Sequence, residues 1–521
     1  MTTPYDEINY PDAAFAQSHP DRLAMLAHLM GMTPAPVPQA RVLELGCAAG
    51  ANLIPMAFQY PDATFVGIDY AATQIAQARD TAAALRLENM RFEALNFLDV
   101  NHDTLGEFDY IIAHGIYSWV PQAVQQAMLT IFKRHLAPQG VGYISYNVLP
   151  GWRMYGIGRE AMMYRVRGLT DLNERARVAR EYLSGIARIE RDIQSTNAWA
   201  RFQKAYDILL KAQMDYLDAK PNNVFVHDEL EFNNEALYFW QFMERFEAAG
   251  LQFLSESVLP VSLPSNLGDG IQDFLGKHCT NIIELEQTLD FLRNRTFRQT
   301  LLVHDDVAVD RRLKLDRLPA LYLTSKMQRT PAEGTDGGSV TYIVVDEELK
   351  FTTGDPLTIH VFDQLIRTYP REQRLAELVL SAREANYALQ IPPRSAEEDA
   401  ASIAATLLQA FGRSYSMLEM RASPAPMVTE VSERPIASAY ARFQAIGGFD
   451  VTNQRHEVVT LDRVTRFVIS RLDGTHDVEM LAHALGQEVV IPRKMNDSGP
   501  ELRHEVEAVL KYLARTALLV G

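Results

Sequence analysis

Short apolar runs alternate with stretches of helical spacing along the first 150 residues. Val42, Leu43 and Leu45 form a brief run, and after a string of small residues Leu53, Ile54, Met56 and Ala57 begin a helix. The cadence repeats: a run from Ala63 to Ile68 precedes a helical stretch from Ala71 to Leu85, and Met90 to Leu95 is a third run. Phe108 to Ala113 precedes a helix from Gln122 to Leu136, and Val141 to Tyr146 is a fifth run. Strand–helix–strand units repeated in this way predict an α/β fold with a doubly wound, parallel sheet. Ahead of them, Pro20 to Met30 places Leu23, Leu26, Ala27, Leu29 and Met30 on one helix face.

Beyond residue 155 the pattern changes. Gly156 to Asp218 is helical and charged, which predicts an α-helical insertion. Asn223 to Glu229 reads as a short strand, Glu235 to Ala249 as a helix and Gly250 to Glu256 as a strand, so that Val224 to Glu256 would complete the core sheet. Farther on, strands at Ala320–Thr324 and Thr341–Val345 with helices at Thr358–Thr368 and Glu372–Glu384 predict a small α+β unit. Pro392 to Asp399 reads as a linker, and Val464–Ser470, Asp473-Gly474-Thr475 and Val478–Leu485 as a winged-helix-like helix-turn-helix. The expected division is 1–155, 156–220, 221–302, 303–393 and 394–521.

The chemistry centres on Arg41 to Asn52. A strand, a turn from Gly46 to Gly50 and a helix N-terminus form the place where a doubly wound sheet holds a nucleotide-like ligand. An acid about 20 residues on, here Asp69, suits a ribose, because both carboxylate oxygens accept from its two hydroxyls. The letters Glu44-Leu45-Gly46-Cys47-Ala48-Ala49-Gly50 resemble the first motif of class I S-adenosylmethionine-dependent methyltransferases, with Ala48 where many members have a second glycine. The resemblance implies a Rossmann-like core and S-adenosylmethionine held by Glu44, Gly46, Cys47, Ala48, Gly50 and Asn52, with Asp69 and Tyr70 beside the ribose. Asn96 and Phe97 fall where the adenine is expected, Asp99 being the alternative. His114 and Gly115 end the fourth strand on the ligand side; His114 is read as a cofactor contact, a base or a structural histidine. In this class the segment before the first motif folds over the cofactor, so Tyr5, Tyr10 and His19 are lid candidates, or else pack on the core surface.

A second dense stretch, Tyr146-Asn147-Val148-Leu149-Pro150-Gly151-Trp152, follows the fifth strand. With Tyr117 it offers aromatic faces for a cationic or methylated amine and polar groups to orient a neutral one. Tyr117, Tyr146, Asn147 and Trp152 are the candidate methyl-acceptor residues. Together with His227-Asp228-Glu229-Leu230-Glu231 and Asp290 to Arg298, these segments resemble methyltransferases carrying a methyltransferase regulatory domain, a group that includes rickettsial protein-lysine methyltransferases. The resemblance implies a protein lysine as acceptor.

Composition narrows this reading. The net charge of −16 opposes general binding to nucleic acid or anionic membranes and suits a lysine-rich protein partner. Cys47 and Cys279 make no disulfide or metal framework, and no leader or membrane-length apolar run is evident, which points to a cytoplasmic enzyme. The helical insertion is a candidate homodimerisation element. The competing functions are methylation of a small metabolite and a cofactor-binding scaffold without turnover.

Overall fold

The computed structural model describes residues 8, 12–189, 195–330, 338–388, 394–488 and 499–521. Its centre is a seven-stranded sheet in the order β3-β2-β1-β4-β5-β7-β6. The strands are β1 (Arg41–Leu45), β2 (Thr64–Asp69), β3 (Met90–Ala94), β4 (Phe108–Ala113), β5 (Leu136–Asn147), β6 (Leu251–Glu256) and β7 (Phe297–His304). β1 to β5 pair in parallel, whereas β7 runs antiparallel to both β5 and β6. Alternation along β1 divides the core: Val42 joins one apolar cluster with Phe65, Tyr110 and Ile112, while Leu43 and Leu45 join another with Val66, Ile68 and Ile111. The strand order reverses between β1 and β4, so the carboxyl ends of β1, β2 and β4 flank the crevice where α/β sheets bind ligands.

Helices α1 (Pro20–Leu29), α2 (Leu53–Gln59), α3 (Ala72–Ala84) and α4 (Gln122–His135) accompany the parallel strands. The inserted helices α5 (Gly151–Val166), α6 (Leu172–Ala187), α7 (Ala198–Asp218) and α8 (Asn222–Glu229) share a small core of their own, including Met162, Leu183, Leu210 and Phe225. α8 replaces the strand expected at Asn223–Glu229. Pro221 stands just before its first turn, and the buried Phe225, Val226 and Glu229 lie at helical spacing. The sheet is completed instead by β6 and β7, with α9 (Phe239–Ala248), α10 (Asp269–His278) and α11 (Ile282–Arg293) around them. A chain ending near residue 260 would therefore lack β7, the strand that joins β6 to β5.

The region after β7 forms a three-stranded sheet of Tyr322–Thr324, Gln373–Arg374 and Glu419–Arg421. Helix Ala396–Arg413 packs with it in the same cluster as Phe362 and Leu378. That helix starts inside the stretch expected to be a linker, because Ser395 and Glu398 form a capping box: each side chain accepts from the other's backbone N–H. A separate apolar cluster from Ala437 to Leu519 holds helices Arg463–Ile469, Val478–Gln487 and Gly499–Arg515 with a hairpin of Asp450–Thr452 and Val458–Thr460. No described helix is long and apolar enough to cross a membrane.

β7 is locked in place by Arg298, whose side chain is fully buried. It donates to Glu256 on β6 at 2.7 Å and to Glu286 and Asp290 on α11 at 3.0 and 2.9 Å, and its guanidinium lies 3.9 Å from the Phe239 ring centroid. Burial pushes Glu256 upward, but Arg298 and Arg295 outweigh it and hold that carboxyl below its ordinary value. For Glu286 and Asp290 burial wins over Arg298, and both are raised. Asn294, in the left-handed region at φ 48°, ends α11 and turns the chain into β7. Removing one partner of such a buried cluster strands the others. Arg298→Ala should lower stability by about 3–5 kcal/mol, read in urea unfolding; a loss below about 1 kcal/mol would contradict this account.

Candidate active site

The turn after β1 depends on left-handed backbone. Gly46, Ala48 and Gly50 have φ of 74°, 47° and 85°. Ala48, at the position where a glycine was anticipated, takes this conformation at a cost of about 1–2 kcal/mol. Gly46 donates to the Ile68 carbonyl at 2.7 Å, and a Cβ placed on it would fall 1.5 Å from Cδ1 of Ile116. A Cβ on Gly50 would lie 2.8 Å from the Phe92 ring. Asp69, at the end of β2, fastens the turn: its Oδ2 accepts from the Ala48 N–H at 3.0 Å and its Oδ1 from the Ala71 N–H at 2.8 Å.

Two further carboxylates face this turn. Glu44 is buried in β1; its Oε1 accepts from Asn52 Nδ2 at 2.6 Å, while Oε2 is buried with no hydrogen-bond partner among the described residues. Burial pushes Glu44 up to about 8, with Asp12 and Asp69 adding to the shift. Asp12, exposed at the rim of the turn, accepts from the Ala51 N–H at 2.9 Å. A turn ringed by three carboxylates, one with an orphaned oxygen, fits a ligand that carries positive charge and a diol.

Other expected contacts lie elsewhere. Cys47 turns into the core beside Gly67, its thiol raised by burial, so only its backbone remains at the turn. The Asn52 side chain is spent inside the protein on Glu44, Ser18, Phe15 and His456. Phe97 is buried with Val66, Ile68 and Val100, and Asn96 Oδ1 caps the turn by accepting from Leu98 N–H at 3.0 Å. Tyr70 is half exposed beside Asp69. His114 is bonded to the Tyr143 hydroxyl at 2.8 Å, lies 3.9 Å from the Phe15 ring, and is pushed down to about 4 by burial. The exposed Gly115 donates to Ser145 Oγ at 2.7 Å. His19 is not a lid: it is buried and caps α1, its Nδ1 accepting from Asp21 N–H. Tyr5 and Tyr10 lie outside the described residues.

The expected acceptor set divides. Tyr117 and Tyr146 are each 1% exposed and belong to the core beneath α9. Tyr146 stacks on Phe242 at 3.8 Å and its hydroxyl lies 3.2 Å from Thr300 Oγ1; the Tyr117 hydroxyl accepts from Arg245. Side chains so enclosed do not line an open pocket. Asn147 is also buried, its backbone N–H bonded to Ser118 Oγ. Trp152 alone is partly open, in a panel that the sequence reading did not assemble: Trp119 meets it edge-on at 6.2 Å, Tyr155 stacks on it at 4.8 Å, and Tyr216 follows Tyr155 at 5.7 Å. The i, i+3 spacing of Trp152 and Tyr155 on α5 was the available signal. Asp12 and Phe15 carried none.

Family models match three regions: a methyltransferase domain at residues 37–198, a "predicted methyltransferase regulatory domain" at 221–304, and "PKMT, C-terminal winged helix domain" at 433–518. Among curated relatives, Uncharacterized protein RP789 of Rickettsia prowazekii is 28% identical over 99% of this chain and 94% of its own length. Uncharacterized protein RP028 of the same organism is 32% identical over 48% of this chain and 96% of its own length. The structure of PKMT2 from Rickettsia typhi superposes with a TM-score of 0.83 at 25% identity, covering 98% of this chain and 100% of that one. With the seven-stranded sheet, the glycine turn and these three matched regions, the chain belongs to the family of class I S-adenosylmethionine-dependent methyltransferases that carry a methyltransferase regulatory domain.

Proposed function

We propose that this chain methylates lysine amines of a protein substrate. The observation that carries the reading is the aromatic panel of Trp119, Trp152, Tyr155 and Tyr216. Its far end already holds a lysine of the chain itself: Lys220 Nζ lies 4.9 Å from the Tyr216 centroid and donates to Glu229 at 2.8 Å and to the Tyr155 hydroxyl at 3.0 Å. Aromatic faces backed by carboxylate are the chemistry that recognises an ammonium. The relative named PKMT2, of which one structure is in complex with AdoHcy, supports the same reading. The net charge of −16 adds attraction for a lysine-rich partner.

In this reading the backbone from Gly46 to Gly50 backs the methionine end of the cofactor, Asp69 takes the ribose hydroxyls with Tyr70 beside it, and Asn96 and Gly115 border the adenine and methyl-transfer ends. Glu44 and Asp12 face the cationic end. When bound, S-adenosylmethionine supplies an electrophilic methyl on a sulfonium. The protein's share is to hold the amine in line and exclude water. His114 is no base for this step, because an imidazole near 4 is about six units too acidic to deprotonate an ammonium near 10.4. Trp199, Phe202 and Ile208, exposed along α7, are the apolar residues on which a second copy would pair in the expected homodimer.

Labelled-methyl transfer into a whole lysate should place the label on lysine in the protein fraction. Trp152→Ala should lower turnover of that acceptor by about tenfold while leaving cofactor affinity unchanged, from the loss of a desolvated cation–π contact. Label confined to small molecules, or none at all, would overturn the reading.

Asp69→Ala should weaken S-adenosylhomocysteine binding by about 1.5–3 kcal/mol, the range for hydrogen bonds to a charged group, read by calorimetry.

The pH dependence of that affinity has a definite sign. Glu44 is raised to about 8, so it is largely neutral at pH 6. A ligand bearing an ammonium prefers its ionised form. Affinity should therefore climb as pH rises through about 8 and flatten above, and Glu44→Gln should remove the rise. A flat profile in the wild type would disconnect Glu44 from the ligand.

A further inference from the structure

The C-terminal unit has its own apolar core, so nothing in that core requires it to touch the cofactor turn. Its hairpin does so all the same. Thr452, Asn453, Gln454, Arg455 and His456 are consecutive polar residues, every one of them buried. Buried polar groups are costly unless paired, and these are paired in two directions. Arg455 meets Glu419, Glu372 and Glu457, which anchors the hairpin to the middle region. His456, 1% exposed and held in the left-handed region at φ 63°, points the other way: its Nε2 lies 2.8 Å from Oδ1 of Asn52.

The direction of that hydrogen bond follows from Asn52. Its Oδ1 accepts from the Phe15 N–H at 2.9 Å, and its Nδ2 donates to Glu44 at 2.6 Å and to Ser18 at 3.1 Å, so the amide cannot be reversed. His456 must then donate from a protonated Nε2. His19, edge-on at 5.0 Å, and Arg421 complete its surroundings, and burial keeps the ring neutral. Asn52 stands just before α2, where an asparagine usually caps the helix; here its side chain makes no cap bond and is diverted to Glu44 and His456. Through Asn52, His456 sets the rotamer of Glu44 and pins the backbone of Phe15, whose ring lies against His114.

We propose that His456 is a positioning residue for cofactor binding, coupling the docking of the C-terminal hairpin to the cofactor turn through Asn52. The inference rests on the placement of the cofactor against Glu44 and Asp69. Coupling of this kind is reciprocal: the docked hairpin favours the ligand, and the ligand favours the docked hairpin.

The test titrates S-adenosylhomocysteine into the full-length wild type, Asp69→Ala, His456→Ala and His456→Gln by calorimetry. His456→Ala should raise Kd about tenfold, equivalent to 1.4 kcal/mol, whereas His456→Gln, which restores an N–H donor of similar reach, should stay within about twofold of wild type. Hydrogen exchange on the wild type supplies a readout that needs no variant: adding S-adenosylhomocysteine should slow exchange at residues 453–461 as well as at 44–52. A role confined to stability would lower the melting temperature of His456→Ala without moving Kd, and would leave exchange at 453–461 unchanged on ligand addition. Wild-type affinity in His456→Ala, or no ligand-dependent slowing in the hairpin, overturns the inference while a weakened Asp69→Ala keeps the cofactor placement. If Asp69→Ala binds like the wild type, the cofactor placement falls and the inference falls with it.

Discussion

An amide side chain cannot turn over once both its ends are committed, and the Asn52 amide is committed at both. Its oxygen takes N–H groups from Phe15 and from His456, while its nitrogen serves Glu44 and Ser18. Three regions far apart in sequence thus meet at one planar group: the segment before the first strand, the glycine turn and the C-terminal hairpin. Each contact is modest, about 1 kcal/mol net. The larger effect is the penalty for leaving any of these buried groups unmatched, so the groups hold one another in a single arrangement.

What the sequence made legible was governed by local rules. β1, the turn and Asp69 announce themselves because a strand, a left-handed turn and a carboxylate at the next strand end all lie within thirty residues and obey short-range stereochemistry. The winged-helix pattern was legible for the same reason, helices 463–469 and 478–487 falling where helical spacing put them. Tyr117 and Tyr146 were misplaced because closeness to a strand's carboxyl end does not say which face a side chain takes. Strand alternation carries Tyr146 to the α9 side, where Phe242 and Phe246 enclose it with Tyr117. Phe97 likewise takes the face of the apolar core.

Contacts across hundreds of residues were not legible at all. His456 and Asn52 are separated by 404 positions, and neither belongs to a pattern that names the other. Nor does anything local reveal that β7 enters the sheet between β5 and β6. The run from Asp290 to Arg298 carried part of the family resemblance, and its acid and arginine form a structural cluster that fastens that strand.

The two buried carboxylate groups of this protein differ in what neutralises them, and the difference separates structure from function. Around Arg298 the protein supplies its own cation, and Glu256 is held below its ordinary value despite complete burial. Around the glycine turn, Glu44 meets an amide and the exposed Asp12 a backbone N–H, and burial pushes Glu44 up to about 8 with Asp12 and Asp69 adding to the shift. A chain that can bury an arginine among acids beside β7 has instead left hydrogen-bond donors beside β1. Donors orient a carboxyl group without supplying a counter-charge, so burial keeps Glu44 largely protonated near neutral pH. In the proposed placement a cationic cofactor would supply that counter-charge and lower the cost of ionising Glu44. The same electrostatics accounts for the reach of the C-terminal hairpin: a neutral imidazole steadies Asn52, and through it Glu44, without adding the positive charge that would compete with the ligand.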